Sequence, residues 1–416
     1  MYFIKSYLIA TLTGSILSMP LMGATLNWPG LLGPERNGRV NHFKEPVIWP
    51  DKLQKVWSIQ VGDGYGSPLV HDDQIYQHSR QSGHEVIRKI DFATGKEIWK
   101  NEHLVNFKMG NGGEGHGRGP KSCPSLADGR LFTFSITGEL SAWDMDSGEL
   151  LWRHDESQRF EKTTPYWGAS MSPIVHGEKI MVRFGNDDEG MLLAFNVESG
   201  EPLWRLGDDG ACYSSPITAK LAGIDQLIEW NHNALIGVDM TSGQMDWRFA
   251  LPHIGSNQNM PTPTFHNGAI LVGGENRGIR QVLPTLEGST WNVEEGWHQK
   301  RVALDMSTAV VHGNHLFGFS HFGLGQLFCM DTTSGDILWQ GPSRTGENAC
   351  LLAMKNHIGV LINDGRFWVI EASSKAFQKI SSYEVASGPT WAPPVLWADS
   401  LLIKDRNHLT RWSFIE

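Results

Sequence analysis

The sequence is poor in the features that usually announce a chemistry. Its 416 residues hold four cysteines, Cys123, Cys212, Cys329 and Cys350, too far apart to form a C-x-x-C pair. That excludes the closely spaced thiolate sets of zinc modules and leaves buried free thiols as the expectation. The first cysteine falls at 123, so none lies near the N-terminus to carry a lipid. No Lys/Arg run interrupts a chain of net charge −10, which excludes the basic surface a nucleic-acid partner needs. The 17 histidines contain no H-E-x-x-H, and no serine sits in a nucleophile elbow. Helical periodicity is absent, so the Gly-rich stretches GDGYG (62–66) and GNGGEGHGRG (110–119) lead into strands. A phosphate loop needs a helix N-terminus behind it, and these read as connecting loops instead.

One apolar run stands out. Lys5 precedes YLIATLTGSILSMPLMGA, which closes on Gly23 and Ala24. A charged start, an apolar stretch and small residues at the end read as an export signal over residues 1–24, with the mature chain beginning near Thr25. An uncleaved anchor is the alternative, because the run approaches the length of the shortest spanning helices. No later segment is long and apolar enough to span a bilayer.

What the chain has in excess is 46 glycines and 17 tryptophans. Both belong to one phrase, [DN]-x-x-[ST]-G-x-x-x-W, written five times: DFATGKEIW, DMDSGELLW, NVESGEPLW, DMTSGQMDW and DTTSGDILW. The Asp or Asn can bond its own turn and the Gly supplies a positive φ, so each phrase predicts a hairpin whose second strand ends in Trp. A second signature, a small residue and usually Pro ahead of an apolar pair, recurs from Ser67, Cys123, Ser172, Ser215, Thr262, Thr308, Cys350 and Pro393, at spacings of 42 to 56 residues. His71, His176, His266 and His312 recur at one turn position after it and read as turn residues rather than ligands. The eighth start leaves 24 residues, enough for three strands, while KVWSIQV around Trp57 offers a fourth ahead of the first start. Eight four-stranded units closed by an N-terminal strand predict an all-β fold, an eight-bladed β-propeller over 57–416 with an N-terminal extension over 25–56. Closure hides strand edges. A WD40 ring would place Trp-Asp at the end of the third strand, which occurs only at Trp143-Asp144, and an open solenoid would need polar caps.

These repeats resemble the tryptophan-docking repeats of the quinoprotein-like propellers, a group that includes PQQ-dependent alcohol dehydrogenases and the assembly factor BamB. The opening WPGLLGPERNG, 28–38, resembles the start of exported PQQ-like repeat proteins. By that resemblance Trp57, Trp99, Trp152, Trp204, Trp247, Trp297 and Trp339 are structural residues, each packing on the next blade. The dehydrogenases carry adjacent cysteines over the cofactor, a calcium held by carboxylate and amide oxygens, and an aspartate base. No two cysteines are adjacent here. GNDDEG (185–190), with Asp187, Asp188 and Glu189, could hold calcium but reads better as a hairpin tip.

Residues just ahead of each unit start enter the innermost strand and should converge on one mouth of the central channel. Tyr65, His116, Arg118, Tyr166, Trp167, Tyr213, Asn257, Asn259 and Trp391 are the candidate binding residues, a set suited to an organic anion or a peptide. The expectation is an exported, monomeric binding or scaffold module without catalytic residues, metal or cofactor, whose partner is an envelope protein or a small ligand. The resemblance leaves one alternative: a PQQ-dependent alcohol or sugar dehydrogenase with bound calcium.

Overall fold

The apolar stretch of each unit is bounded by turns and too short for a helix, so it becomes a strand with both faces covered by neighbouring blades. Lys179–Gly185 (KIMVRFG) is such a strand and is buried throughout apart from its first residue; the outer strand Leu150–His154 is exposed on one face. The structure, a computed structural model, describes residues 27–207, 209–255 and 258–415. The expected signal over 1–24 lies outside them.

Eight antiparallel sheets follow one another along the chain. Their inner strands begin two residues after seven of the eight start signatures, for example Leu69–His71, Ser125–Ala127 and Ile174–His176; the seventh, Ala349–Ala353, begins one residue ahead of Cys350. The only helical pieces among the described residues are two single turns, Glu114–His116 and Phe322–Leu324. Cores lie between blades: Phe132 and Phe134 of the second blade pack with Ile180, Val182 and Phe184 of the third.

The small residue at each start has a use that composition alone did not indicate. The Ser67 amide donates to Cys123 Sγ (3.1 Å), the Cys123 amide to Ser172 Oγ (2.9 Å) and the Ser172 amide to Ser215 Oγ (2.9 Å). Farther round, the Thr262 amide donates to Thr308 Oγ1 (3.1 Å), and Ser67 Oγ donates back to the Pro393 carbonyl (3.0 Å). A short side chain with a lone pair satisfies a buried amide of the preceding blade, so Ser, Thr and Cys interchange there.

The strand Gln54–Gln60 pairs antiparallel with His408–Ser413 and forms the outer edge of the eighth sheet. Just beyond it, the buried Lys404 ammonium lies 2.5–3.0 Å from the carbonyls of Gly62, Gly64, Asp405 and Arg406, tying the seam between the eighth blade and the first. Burial lowers its pKa to about 8.

The preceding residues form a strap. Asn27–Trp28 adds a fifth strand to the inner edge of the first blade, and the Pro29 carbonyl accepts from the Leu126 amide (2.7 Å) of the second. Arg36 donates to the carbonyls of Ser172 (3.0 Å) and Pro173 (2.7 Å) beside the third blade. Gly38 and Val40 exchange backbone bonds with Ala353 of the seventh blade, and the Lys44 amide donates to Ala398 of the eighth. The strap therefore crosses the axis and closes the channel at the far end of the inner strands. Trp28, Leu31 and Leu32 are buried beneath it.

Glu45 fastens the strap's end, accepting from the Asn356 amide (2.9 Å) and facing His357 Nδ1 (2.9 Å). Burial pushes this carboxyl upward, but the bonds from Asn356 and His357 outweigh it and hold the pKa below 4.5. A depressed carboxylate stabilises above its unfolded pKa, and that contribution disappears as pH falls through the lower folded value. Acid below pH 4.5 is therefore expected to loosen the strap, and Glu45→Gln to flatten that part of the stability–pH curve, as measured by chemical unfolding from pH 3 to 7.

The five repeated turns are alike. In each, the first side-chain oxygen accepts backbone amides two or three residues on, as Asp144 Oδ1 does from Asp146 (3.0 Å) and Ser147 (2.7 Å). The Ser147 amide, chiefly, holds the Asp144 carboxyl below its ordinary range. The turn glycines have φ of 70–75°. A tryptophan of the preceding blade lies over each of the five. A Cβ on Gly95, Gly148, Gly200, Gly243 or Gly335 would come within 2.5–2.7 Å of the rings of Trp57, Trp99, Trp152, Trp204 and Trp297. Each indole N–H donates to a carbonyl of that same turn, at 3.0–3.2 Å. Trp339 donates to Ser373 (2.8 Å), in a turn without glycine.

Trp247 departs from the expected arrangement. Its N–H donates to Gln226 Oε1 (2.9 Å) of its own blade, and its ring lies over Gly237 across the strand pair. The reason lies in the fifth blade, where a long hairpin, Ile279–Glu287 and Thr290–Gln299, replaces the short Asp-to-Gly turn and offers no seat.

Candidate functional site

A cavity of about 400 Å³ occupies the axis, open at the end away from the strap. Its wall has a simple construction. Each blade supplies the residue two positions ahead of its unit start: Tyr65, Lys121, Ser170, Tyr213, Met260, Met306, Asn348 and Trp391 all line it. The start residues Cys123, Ser172, Ser215, Thr262 and Thr308 line it too, Leu31 of the strap reaches it from the closed end, and His116 and Trp167 contribute from loops.

The expected residues divide accordingly. Tyr65, His116, Trp167, Tyr213 and Trp391 are brought together on the wall. Arg118, Tyr166 and Asn259 are not. Arg118 is exposed, and its backbone amide donates to Asp63 Oδ2 (2.9 Å). Tyr166 points outward, accepting from the Asn111 amide through its hydroxyl (3.1 Å). Asn259 is spent inside the loop: its amide donates to the Asn231 carbonyl (2.7 Å), and its oxygen accepts from Arg277 (2.7 Å). None of the three stands at the fixed offset, and unlike His116 and Trp167, which reach the wall from loops, none lines the cavity. Asn257 lies outside the described residues. Lys121, Ser170, Met260, Met306 and Asn348 were missed, although the offset of two residues would have found all five.

The aromatic side of the wall is ordered. Trp391 meets His116 edge-on (4.8 Å between rings), and Trp167 lies 5.9 Å from Tyr213. The Tyr213 hydroxyl accepts from the Trp167 amide (2.9 Å). Burial, then Lys121, lowers the His116 pKa. Lys121 donates to the Trp167 carbonyl (3.0 Å), and burial lowers its pKa to about 8. Among the described residues no carboxylate pairs with Lys121, and none lines the cavity. Tyr65 is 5% exposed, its pKa pushed up to about 12 by burial, and its hydroxyl has no hydrogen-bond partner among the described residues.

GNDDEG forms a hairpin tip in which Asn186 Oδ1 accepts the amides of Asp188 and Glu189. Asp187 Oδ2 accepts the Tyr166 amide (2.9 Å). Among the described residues no three His, Cys, Asp or Glu side chains are placed to hold a metal ion. The wall therefore does not fit a calcium-anchored quinone: it has aromatic rings and one cation but neither the carboxylates nor the paired cysteines.

Sheets repeated around an axis, with tryptophans bridging five of the turns, define a propeller of PQQ-like repeats. The family model described as outer membrane protein assembly factor BamB matches residues 83–341, well over half of the chain, and the chain belongs to that family. It is 23% identical to a BamB of Shewanella oneidensis over 225 residues, covering 52% of this chain and 55% of that one. The chain spans about half the length of the curated relatives it matches. The crystal structure of BamB from Moraxella catarrhalis aligns at TM-score 0.61 and 15% identity, over 88% of this chain and 98% of that one. The quinohemoprotein alcohol dehydrogenase of Comamonas testosteroni aligns at TM-score 0.65 and 12% identity, over 93% and 80%. The shared fold thus carries both a redox enzyme and an assembly factor, and fold alone does not choose between them. No helix among the described residues is long and apolar enough to cross a membrane.

Proposed function

We propose that this chain is an exported, monomeric binding module that recognises an envelope protein at the open mouth of its axial cavity, without metal, cofactor or catalytic residues. Residues 1–24 would be its export signal, 25–56 the extension that seals the axis, and 57–416 the propeller, working in the periplasm or outside the cell. The family assignment supports a protein partner. The observation that carries the reading is the cavity wall, apolar and aromatic, with the unpartnered Tyr65 hydroxyl, the Lys121 ammonium and, among the described residues, no carboxylate. Such a wall suits recognition of a carboxylate or other acceptor.

The dehydrogenase reading makes a different demand on the same cavity. Titration with PQQ, with and without calcium, followed by tryptophan fluorescence and cofactor absorbance, is expected to give no calcium-dependent saturation. Saturable micromolar binding that requires calcium would replace the recognition reading with the redox one.

A further inference from the structure

Lys121 and Tyr65 pose a problem that the fold does not solve. An ammonium removed from water normally finds a carboxylate, and a buried phenol normally finds an acceptor. Among the described residues Lys121 has only the Trp167 carbonyl and, at 3.9 Å, the Met109 sulfur. The nearby Asp63 carboxylate does not pair with Lys121: Oδ2 accepts the amides of Arg118 and Gly119, and Oδ1, without a hydrogen bond among the described residues, faces Arg406 at 3.6 Å. Among the described residues the Tyr65 hydroxyl has no partner. Both residues occupy the same position in their repeats and stand on adjacent blades of one wall. A lysine without a carboxylate and a phenol without an acceptor, both on this wall, call for an anion with two oxygens.

The rest of the cavity describes what carries that anion. Trp167, Tyr213, Trp391, Met260 and Met306 make the remainder of the wall largely apolar. Leu31 closes the bottom, so a strand cannot thread through, and anything longer than the cavity must leave by the mouth. A chain end meets both conditions.

We propose that the cavity captures the C-terminal residue of an extended polypeptide, its terminal carboxylate on Lys121 and Tyr65 and its apolar side chain against the aromatic wall. This deepens the recognition reading and rests on it. It is a mode in which main-chain termini give affinity and a pocket gives specificity.

The test uses the full mature chain and three probes. One hexapeptide ending in phenylalanine is made as the free acid and as the C-terminal amide, and N-acetyl-phenylalanine supplies the same acid without a chain. Calorimetry is expected to show saturable binding of the acid, with the amide and the small acid each at least tenfold weaker. Lys121→Gln should erase most of the acid–amide difference. Tyr65→Phe removes only a hydroxyl with no partner, so it should fold normally and narrow the same difference.

Equal binding of acid and amide would overturn the proposal. So would an acid preference untouched in natively melting Lys121→Gln and Tyr65→Phe variants, or N-acetyl-phenylalanine binding as tightly as the peptide. If neither peptide binds while a crosslinker at the mouth still traps a protein partner, the terminus inference fails and recognition at the mouth stands. Loss of both results would remove the two together.

Discussion

Replacing Trp152 by alanine is expected to lower the unfolding free energy by about 3 kcal/mol, at the lower edge for large aromatic deletions because the ring is only part-buried. The loss has two sources. Its ring covers Gly200 of the next blade and packs near Phe132 and Phe195 (5.8 and 6.3 Å between rings). Its N–H satisfies the Val197 carbonyl at 3.2 Å. Gly200→Ala should be costly for the reciprocal reason: the new Cβ would lie 2.7 Å from the indole, on a backbone with φ of 73°. In the Trp152→Ala background that clash disappears and only the φ strain remains. The double variant is therefore expected to be more stable than the sum of the two single losses predicts, as measured by chemical unfolding. Strict additivity would mean that the ring does not press on the glycine.

Arg36→Met is expected to cost about 2–3 kcal/mol, the range for charge-assisted bonds lost from buried acceptors. The guanidinium is 6% exposed, and burial lowers its pKa to about 10. Its two bonds hold the carbonyls of Ser172 and Pro173, only the latter keeping a second donor, Ser125 Oγ at 2.7 Å. Because Arg36 pins the strap, its loss should also open the closed end of the axis. Cys123 and Cys350 pack with Trp28, Leu31 and Leu32 in one cluster, whereas Cys212 and Cys329 are buried outside it. Thiol labelling in the variant should therefore accelerate at Cys123 and Cys350 alone. Uniform acceleration at all four would indicate general unfolding, and no acceleration would mean that the strap holds without Arg36.

Much of this arrangement was legible because its causes are local. The Asp-to-Gly turn, the small start residue and the alternating outer strands each repeat within a few residues, so eight units could be counted and a completing strand found around Trp57. What escaped depends on distance. WPGLLGPERNG gives no sign that Arg36 bonds residues 136 and 137 positions away, or that Gly38 and Val40 pair with Ala353. Trp247 repeats its phrase faithfully, yet its seat depends on a hairpin some forty residues later. At the mouth, aromatic and polar character chose Arg118, Tyr166 and Asn259, whereas geometry takes one residue per blade by offset and adds His116 and Trp167 from loops. A fixed position ahead of the inner strand fixes where a side chain points, so Met260, Met306 and Asn348 join the wall whatever their chemistry.

The central claim is that recognition happens at the axis. A photo-reactive residue placed at Trp391, on the wall, can be compared with one at Leu151, exposed on an outer strand. The account predicts a defined polypeptide adduct from position 391 that Lys121→Gln diminishes, and none from 151. Adducts from 151 with none from 391 would place the binding surface on the blade edges and contradict it.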